Sequence, residues 1–419
     1  MTHSEQMMAA IQNEDLVQAQ IELNEAIKKD DNDTLAELGE VLLSIGFLEE
    51  AKSVYEALTL RLPAEKEAFL LPLAEIAIEN NEIEEAFEML EAISKESAYY
   101  PQSLLITADL YQILGIPEVS EAKLKEAKSL LPKEPLIDFA LAELFFSNQQ
   151  YSEAHSYYKN LLKEDTQEIL GVSIIERIGT LLSMQGEFEE AITYLESALK
   201  EKETPESLFQ LAFVYLQIDE NEKAIPLLEK IRQLDPQYQG VYLYLAEALQ
   251  KEERIEEAQE VIEAGIAENP YQVAFYHFAS ENSYRLHDSE KAERFLIDAL
   301  ETGEKEDETR LILSNLYLNE EMYEEAIEAI EGLENSDHPY ALWNLAQANY
   351  HLEEYTLAAK YYEEASYLLS EEADFLKEYG LFLREEGRLR EAKSMLVNYL
   401  SLEPGDLEAQ SILEDLLER

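Results

Sequence analysis

The 419-residue sequence has no cysteine, which excludes disulfides, thiolate metal sites and cysteine nucleophiles and is neutral about compartment. Glycine and proline are scarce, at 13 and 12 residues, about half their usual combined share of roughly 12%. A chain so poor in turn-formers favours long helices over hairpins. Basic residues are also few: 32 Lys and Arg stand against 90 Asp and Glu, a formal net charge of −58. The clustered cations that would meet a phosphate backbone or an anionic bilayer surface are missing, so no nucleic acid and no membrane insertion are expected. No apolar run reaches the roughly 18 residues that suggest a membrane span; the nearest, LFQLAFVYLQI (208–218), is short and broken by Gln. The opening MTHSEQMMAAIQNEDLV has neither a basic cluster nor a long apolar core, so no signal peptide is expected. Hydrophobic residues make up 46%, enough to fold, unlike a disordered acidic tail. These features suit a soluble, cytoplasmic, acidic protein with basic partners and salt-sensitive stability.

What the sequence does have is a period. An acidic–Ala pair followed by apolar residues recurs as EEAKSVYEAL (49–58), EEAITYLESAL (189–199), EEAQEVIEAGI (256–266), EEAIEAIEGL (324–333) and REAKSMLVNYL (390–400). The anchors are Ala19, Ala51, Ala86, Ser120, Ala154, Ala191, Ala224, Ala258, Ala292, Ala326, Ala358 and Ala392, spaced 32 to 37 residues apart and close to 34 on average. Each repeat reads as two amphipathic helices, the second starting just before its anchor, with Glu in its first turn, where a helix N-terminus favours negative charge. Proline twelve residues after the anchor (Pro63, Pro132, Pro236, Pro270, Pro404) ends that helix in five repeats. Twelve residues before the anchor, from the second repeat on, stand Gly39, Ala74, Ala108, Ala142, Gly179, Ala212, Ala246, Ser280, Ser314, Ala346 and Gly380. All are small, which lets two helix backbones approach closely.

A 34-residue helix–turn–helix with small residues at these two places resembles the tetratricopeptide-repeat family, most clearly in YLYLAEALQKEERIEEAQEVIEAGIAENP (242–270) and NLAQANYHLEEYTLAAKYYEEA (344–365). The expected fold is all-α: an α-solenoid of about twelve helix pairs over 1–404, closed by a capping helix over 405–419. Local departures are Met7 at the first small site, Ser120 as an anchor, and Pro72 inside a first helix, expected to kink or delay it. A three-residue insertion around 163–171 is a candidate flexing point. The resemblance implies a right-handed superhelix whose first helices line a concave groove.

The residues fifteen, eleven and eight before each anchor share one helix face. The middle row carries Glu40, Glu75, Asp109, Glu143, Glu247 and Glu281, an expected acidic stripe, and includes Phe213 and Gln347. The flanking rows are largely apolar, with Phe139, Phe146, Phe209, Leu216, Tyr284, Trp343 and Tyr350. Two first helices, LIDFALAELFF (136–146) and LFQLAFVYLQI (208–218), are apolar nearly all round and need cover on every side. Trp343, the sole tryptophan, and Tyr350 form an aromatic pair of the kind frequent at binding hot spots. The fifteen residues named form the candidate partner-binding set, complementary to a basic or amphipathic segment. Packing of the apolar rows on neighbouring first helices, with the acids solvated, would produce the same composition. The Lys, Arg and Asn set with which some members grip a C-terminal carboxylate is missing, Lys377 and Arg384 standing alone in the last repeat.

Catalytic and cofactor signatures are absent. There is no HExxH, no i, i+4 histidine pair, no GxGxxG and no GxxxxGK. Asp30, Asp31, Asn32 and Asp33 lack the glycine and closing glutamate of a calcium loop and read as an inter-repeat turn. The leading expectation is a non-enzymatic protein- or peptide-binding scaffold without cofactor or metal; the alternative is a ligand-gated regulator enclosing a short signalling peptide.

Overall fold

The computed structural model describes residues 1–238, 240–335 and 337–418. These form twenty-five helices and one two-stranded hairpin, β1 (Glu168–Ile169) and β2 (Val172–Ser173). The pairs are α1 (His3–Gln12) with α2 (Leu16–Lys29), α3 (Asn32–Ser44) with α4 (Leu48–Arg61), α5 (Lys66–Glu79) with α6 (Ile83–Glu91), α7 (Tyr100–Ile113) with α8 (Pro117–Leu130), α9 (Pro135–Ser147) with α10 (Tyr151–Lys163), and α11 (Ile174–Met184) with α12 (Phe188–Glu201). They continue as α13 (Pro205–Gln217) with α14 (Asn221–Leu234), α15 (Gly240–Lys251) with α16 (Ile255–Glu268), α17 (Val273–Arg285) with α18 (Ser289–Glu301), α19 (Glu306–Asn319) with α20 (Tyr323–Glu331), α21 (Pro339–His351) with α22 (Tyr355–Ser366), and α23 (Ala373–Glu385) with α24 (Leu389–Leu402), followed by α25 (Leu407–Glu418). The chain divides into two compact units, Met1–Glu203 and Thr204–Arg419. The solenoid expected from the period is thus present as twelve helix pairs and a terminal helix.

The small sites explain the pairing. All twelve anchors are 0–3% exposed, and the alanines twelve residues earlier are 0% exposed. At two of the three sites where that residue is glycine a Cβ would force a shift: one on Gly179 would stand 2.6 Å from Leu195 Cγ, and one on Gly39 would stand 2.9 Å from the Tyr55 ring. Second helices carry carboxylates in their first turns, as at Glu49, Glu84, Glu189, Glu256 and Glu324, without side-chain capping bonds. Their contribution is therefore through the helix dipole. The five helices before the marked prolines end two residues short of them, at Arg61, Leu130, Leu234, Glu268 and Leu402.

The turn inside each pair repeats too. Five residues before the anchor the backbone enters the left-handed region in every repeat, at Glu14, Gly46, Asn81, Gly115, Gln149, Gly186, Asp219, Glu253, His287, Glu321, Glu353 and Gly387. The next residue then donates its N–H to the carbonyl five positions back, as in Phe47 to Leu42, Arg254 to Leu249 and Arg388 to Leu383, each at 2.9 Å. This is the Schellman closure, which satisfies orphan carbonyls at the end of the first helix.

Pro72 does not delay its helix: α5 begins at Lys66 and runs through to Glu79. The missing N–H and ring clash cost about 3 kcal/mol, but the same helix buries Leu71, Leu73 and Ile76, each worth roughly 1.5–3 kcal/mol. The insertion at 163–171 becomes the β1–β2 hairpin, turned by Leu170 and Gly171 at φ 52° and 80°, with Ile169 and Val172 packed on the core between α9 and α11. The aspartate run is structural: Asp30 accepts from the backbone N–H groups of His3 and Ser4, and Asp31 caps α3 through Thr34 N–H. At the other end, Ala409 and Leu416 of α25 are 0% and 3% exposed. Asp406 there accepts from Lys377 Nζ and Tyr399 Oη, each at 2.7 Å.

Candidate functional site

In the unit Met1–Glu203, successive first helices lie side by side, α1 against α3, α5 against α7 and α7 against α9. Glu40, Glu75 and Asp109 project from α3, α5 and α7 and are exposed. None has a cationic partner among the described residues. Confinement and the Asp109 charge push the Glu75 carboxyl above its usual range; confinement and Glu79 do the same for Asp109. Burial, then the charges of Glu40 and Glu75, raise the Tyr55 hydroxyl to about 12. Glu75 therefore feels the charge of Asp109, and Glu40 and Glu75 both lie near the Tyr55 hydroxyl, on a face that is open to water.

The fourth acid of this row differs. Glu143 accepts a 2.5 Å hydrogen bond from Tyr158 Oη, and Arg177 Nε of α11 lies 3.1 Å away. The Arg177 guanidinium also sits over the Phe146 ring at 5.7 Å. Phe139 is 7% exposed, packed in the core with its ring 6.5 Å from Tyr158. The expectation that Phe139 lines an open face is corrected: the all-round apolar character of α9 comes from its place in the middle of a packed unit.

In the unit Thr204–Arg419, Phe209 and Phe213 are half-buried against Tyr244 of α15, with ring centroids 5.4 and 6.1 Å away, and Phe209 also meets Tyr238 at 5.6 Å. Leu216 is half-buried on the same helix, α13. Glu247 is exposed, its carboxyl raised by confinement and by Glu281 against the opposing pull of Lys251. Glu281 is paired with Arg285 at 2.8 Å, and Tyr284 is exposed.

Trp343, Gln347 and Tyr350 come together on α21, where all three bind carboxylates of α23. Glu378 accepts from Trp343 Nε1 at 3.1 Å, Gln347 Nε2 at 2.7 Å and Tyr362 Oη; Glu385 accepts from Tyr350 Oη at 2.7 Å. The Tyr350 hydroxyl is held up at about 12 by that bond and by burial. Gln347, Tyr350, Glu378 and Glu385 also line a cavity of about 380 Å³, with Tyr323, His351, Tyr362 and Phe382 as its other rings.

A rule not visible in the three rows emerges from these contacts. The residue fourteen before one anchor meets the row eleven before the preceding anchor: Arg177 on Glu143, Tyr244 on Phe213, Asn344 on Asn315 at 2.7 Å, and Glu378 on Gln347. After Glu40, Glu75 and Asp109 that position holds Pro72, Ile106 and Ala140, which offer no charge. Glu40, Glu75 and Asp109 thus have an apolar neighbour in this register, whereas Glu281, opposite Ile312, takes its cation from Arg285 on its own helix. The signal was available in the sequence at a register position outside the three rows.

Among the described residues, no helix is long and apolar enough to cross a membrane, and no group of three or more His, Asp or Glu is placed to hold a metal ion. Family models match at 112–166 (YpiA-like, tetratricopeptide repeats), 339–406 (YpiA-like, C-terminal tetratricopeptide repeats), and 177–239 and 219–276 (tetratricopeptide repeat). The TPR repeat-containing protein YpiA of Bacillus subtilis (strain 168) is 36% identical over 342 residues, 81% of each chain. Among solved structures, the APC/C hetero-tetramer Cut9–Hcn1 matches 98% of this chain and 95% of that one at 13% identity and TM-score 0.41. The C-terminal part of a TPR repeat-containing protein from Cytophaga hutchinsonii matches 56% of this chain and 98% of that one at 16% identity and TM-score 0.47. With the periodic small sites, the twelve helix pairs and a relative this similar over four-fifths of its length, the chain belongs to the tetratricopeptide-repeat family, whose repeats generally mediate protein–protein interaction.

Proposed function

We propose that this chain is a non-enzymatic, cytoplasmic scaffold or adaptor that holds a basic or amphipathic segment of a partner protein against its first helices. The observation that carries this reading is the run of exposed acids Glu40, Glu75 and Asp109 on successive first helices: Asp109 raises the Glu75 carboxyl, Glu40 and Glu75 both act on Tyr55, and none of the three has a cationic partner among the described residues. A lysine or arginine from a partner relieves that repulsion, and a complementary charge also speeds encounter. The ion pairs Glu143–Arg177 and Glu281–Arg285 mark where the chain supplies the cation itself. Affinity purification from native lysate at low and moderate salt, with the chain and with its Glu75→Gln/Asp109→Asn variant, tests the reading. The chain is expected to retain basic proteins that are lost in the variant and at the higher salt. Retention of the same proteins by both at both salt levels overturns it.

A further inference from the structure

The cavity bounded by α19, the start of α20, α21, α22 and α23 is built unlike the acidic patch of the other unit. Its walls are aromatic: Tyr323 stacks on His351 at 4.6 Å with planes 4° apart, Phe382 meets Tyr350 at 5.8 Å edge-on, and Tyr362 lies 4.8 Å from Phe382. Its charges are Glu378 in the wall and Glu385 at the exposed mouth. No Lys or Arg lines it, and among the described residues neither carboxylate has a cationic partner.

Four donors around this space are already engaged by its carboxylates. Trp343 Nε1, Gln347 Nε2, Tyr350 Oη and Tyr362 Oη all donate to Glu378 or Glu385. Two acceptors remain. With its amide given to Glu378, Gln347 keeps a side-chain carbonyl with no donor on it among the described residues, and Glu385 uses only Oε2 on Tyr350. A space that is doubly negative, holds open acceptors, has no cation in its lining and is walled by ring faces calls for a cation with several N–H groups that also stacks flat. A guanidinium has five donors in one plane and packs on aromatic faces, whereas an ammonium is a strongly hydrated point charge. At about 380 Å³ the cavity lies near the lower end of the roughly 300–1,000 Å³ typical of ligand pockets, which suits one side chain better than an extended ligand.

We infer that this cavity is a socket for a single arginine side chain presented by a partner polypeptide, the stem entering past Glu385 and the guanidinium stacking among Tyr323, His351 and Tyr350. The inference rests on the scaffold reading for the source of the arginine, and it involves the unit that does not contain the Glu75 patch.

Trp343, the only tryptophan in the chain, shares Glu378 with the cavity wall and supplies a fluorescence reporter. The full chain is titrated with Nα-acetyl-arginine methylamide, the neutral isostere Nα-acetyl-citrulline methylamide, and free arginine. The arginine amide is expected to change Trp343 emission saturably in the millimolar range, with citrulline silent and free arginine weaker because its own carboxylate meets Glu385. Glu385→Gln, at an exposed position, is expected to weaken the amide about tenfold or more, the size of a lost charge-assisted hydrogen bond. An equal response to citrulline, no response to the amide in calorimetry and fluorescence, or unchanged binding to Glu385→Gln overturns the socket. Tighter binding of free arginine overturns the polypeptide source. A silent cavity with capture still dependent on Glu75 and Asp109 removes this site and leaves the scaffold reading intact; a responsive cavity with capture indifferent to those residues does the reverse.

Discussion

Replacing Gly179 with alanine puts a Cβ 2.6 Å from Leu195 Cγ and 3.3 Å from its backbone nitrogen, so the helices of that pair must move apart. Overpacking of this kind costs about 1–3 kcal/mol; the expected result is a lower melting temperature and faster amide exchange in α11 and α12. Glu75 carries the opposite expectation. Its carboxyl is raised by confinement and by Asp109, so the folded chain holds that proton to higher pH than the unfolded chain does. Stability therefore falls as pH rises through the carboxylate range, and the penalty is complete at neutral pH. Glu75→Gln is expected to stabilise the fold at pH 7 by less than about 1 kcal/mol, because the group is exposed, and so to raise the melting temperature. The gain fades as pH drops to where the folded Glu75 takes up its own proton; melts at stepwise pH in low salt read this directly. Residue types at a fixed offset from the anchor were enough to find Glu40, Glu75 and Asp109. They were not enough to tell these from Glu143, because the partner Arg177 lies 34 residues away and meets Glu143 only once the helices stack.

At the scale of elements, the left-handed turn residue is the informative site. Only Gly46, Gly115, Gly186 and Gly387 of the twelve are glycine. The others hold a conformation that costs a residue with a Cβ roughly 1–2 kcal/mol, offset in part by the greater freedom glycine has when unfolded. Glu253→Gly is expected to stabilise the α15–α16 pair by up to about 1 kcal/mol, read as slower exchange of its amides, and Gly186→Ala to loosen α11–α12 by a similar amount. This turn was not legible as a motif, since two-thirds of its positions carry Glu, Asp, Asn, Gln or His. The helices were legible, because their small and apolar residues recur at fixed offsets and burial demands it. The delay expected from Pro72 did not occur, because the same helix buries apolar side chains on both sides of it.

Taken as a whole, the chain folds against its own charge. With a formal net charge of −58, like-charge repulsion opposes every compact state, and added salt shortens its reach from about 30 Å at 0.01 M to about 8 Å at 0.15 M. The melting temperature is expected to climb over that range; a flat response would mean local pairs such as Lys52–Glu82 and Lys291–Glu263 already neutralise the field. The architecture was readable at this scale because each pair needs only its neighbours, so a repeating sequence dictates a repeating structure. Which faces stay open was not, since that depends on contacts between repeats. The helix α25 has a consequence of its own. It lies on the apolar flank of α24 that would otherwise receive another repeat, with Ala409 and Leu416 inserted and Asp406 fastened to Lys377 and Tyr399. Removing residues 405–419 uncovers a flank shaped to accept a first helix, and such an edge on one molecule can dock the opposite end of the next. Sedimentation of the shortened chain is expected to show mass growing with concentration where the full chain shows none of that growth; α25 would then be the stopper that keeps a stackable protein from polymerising.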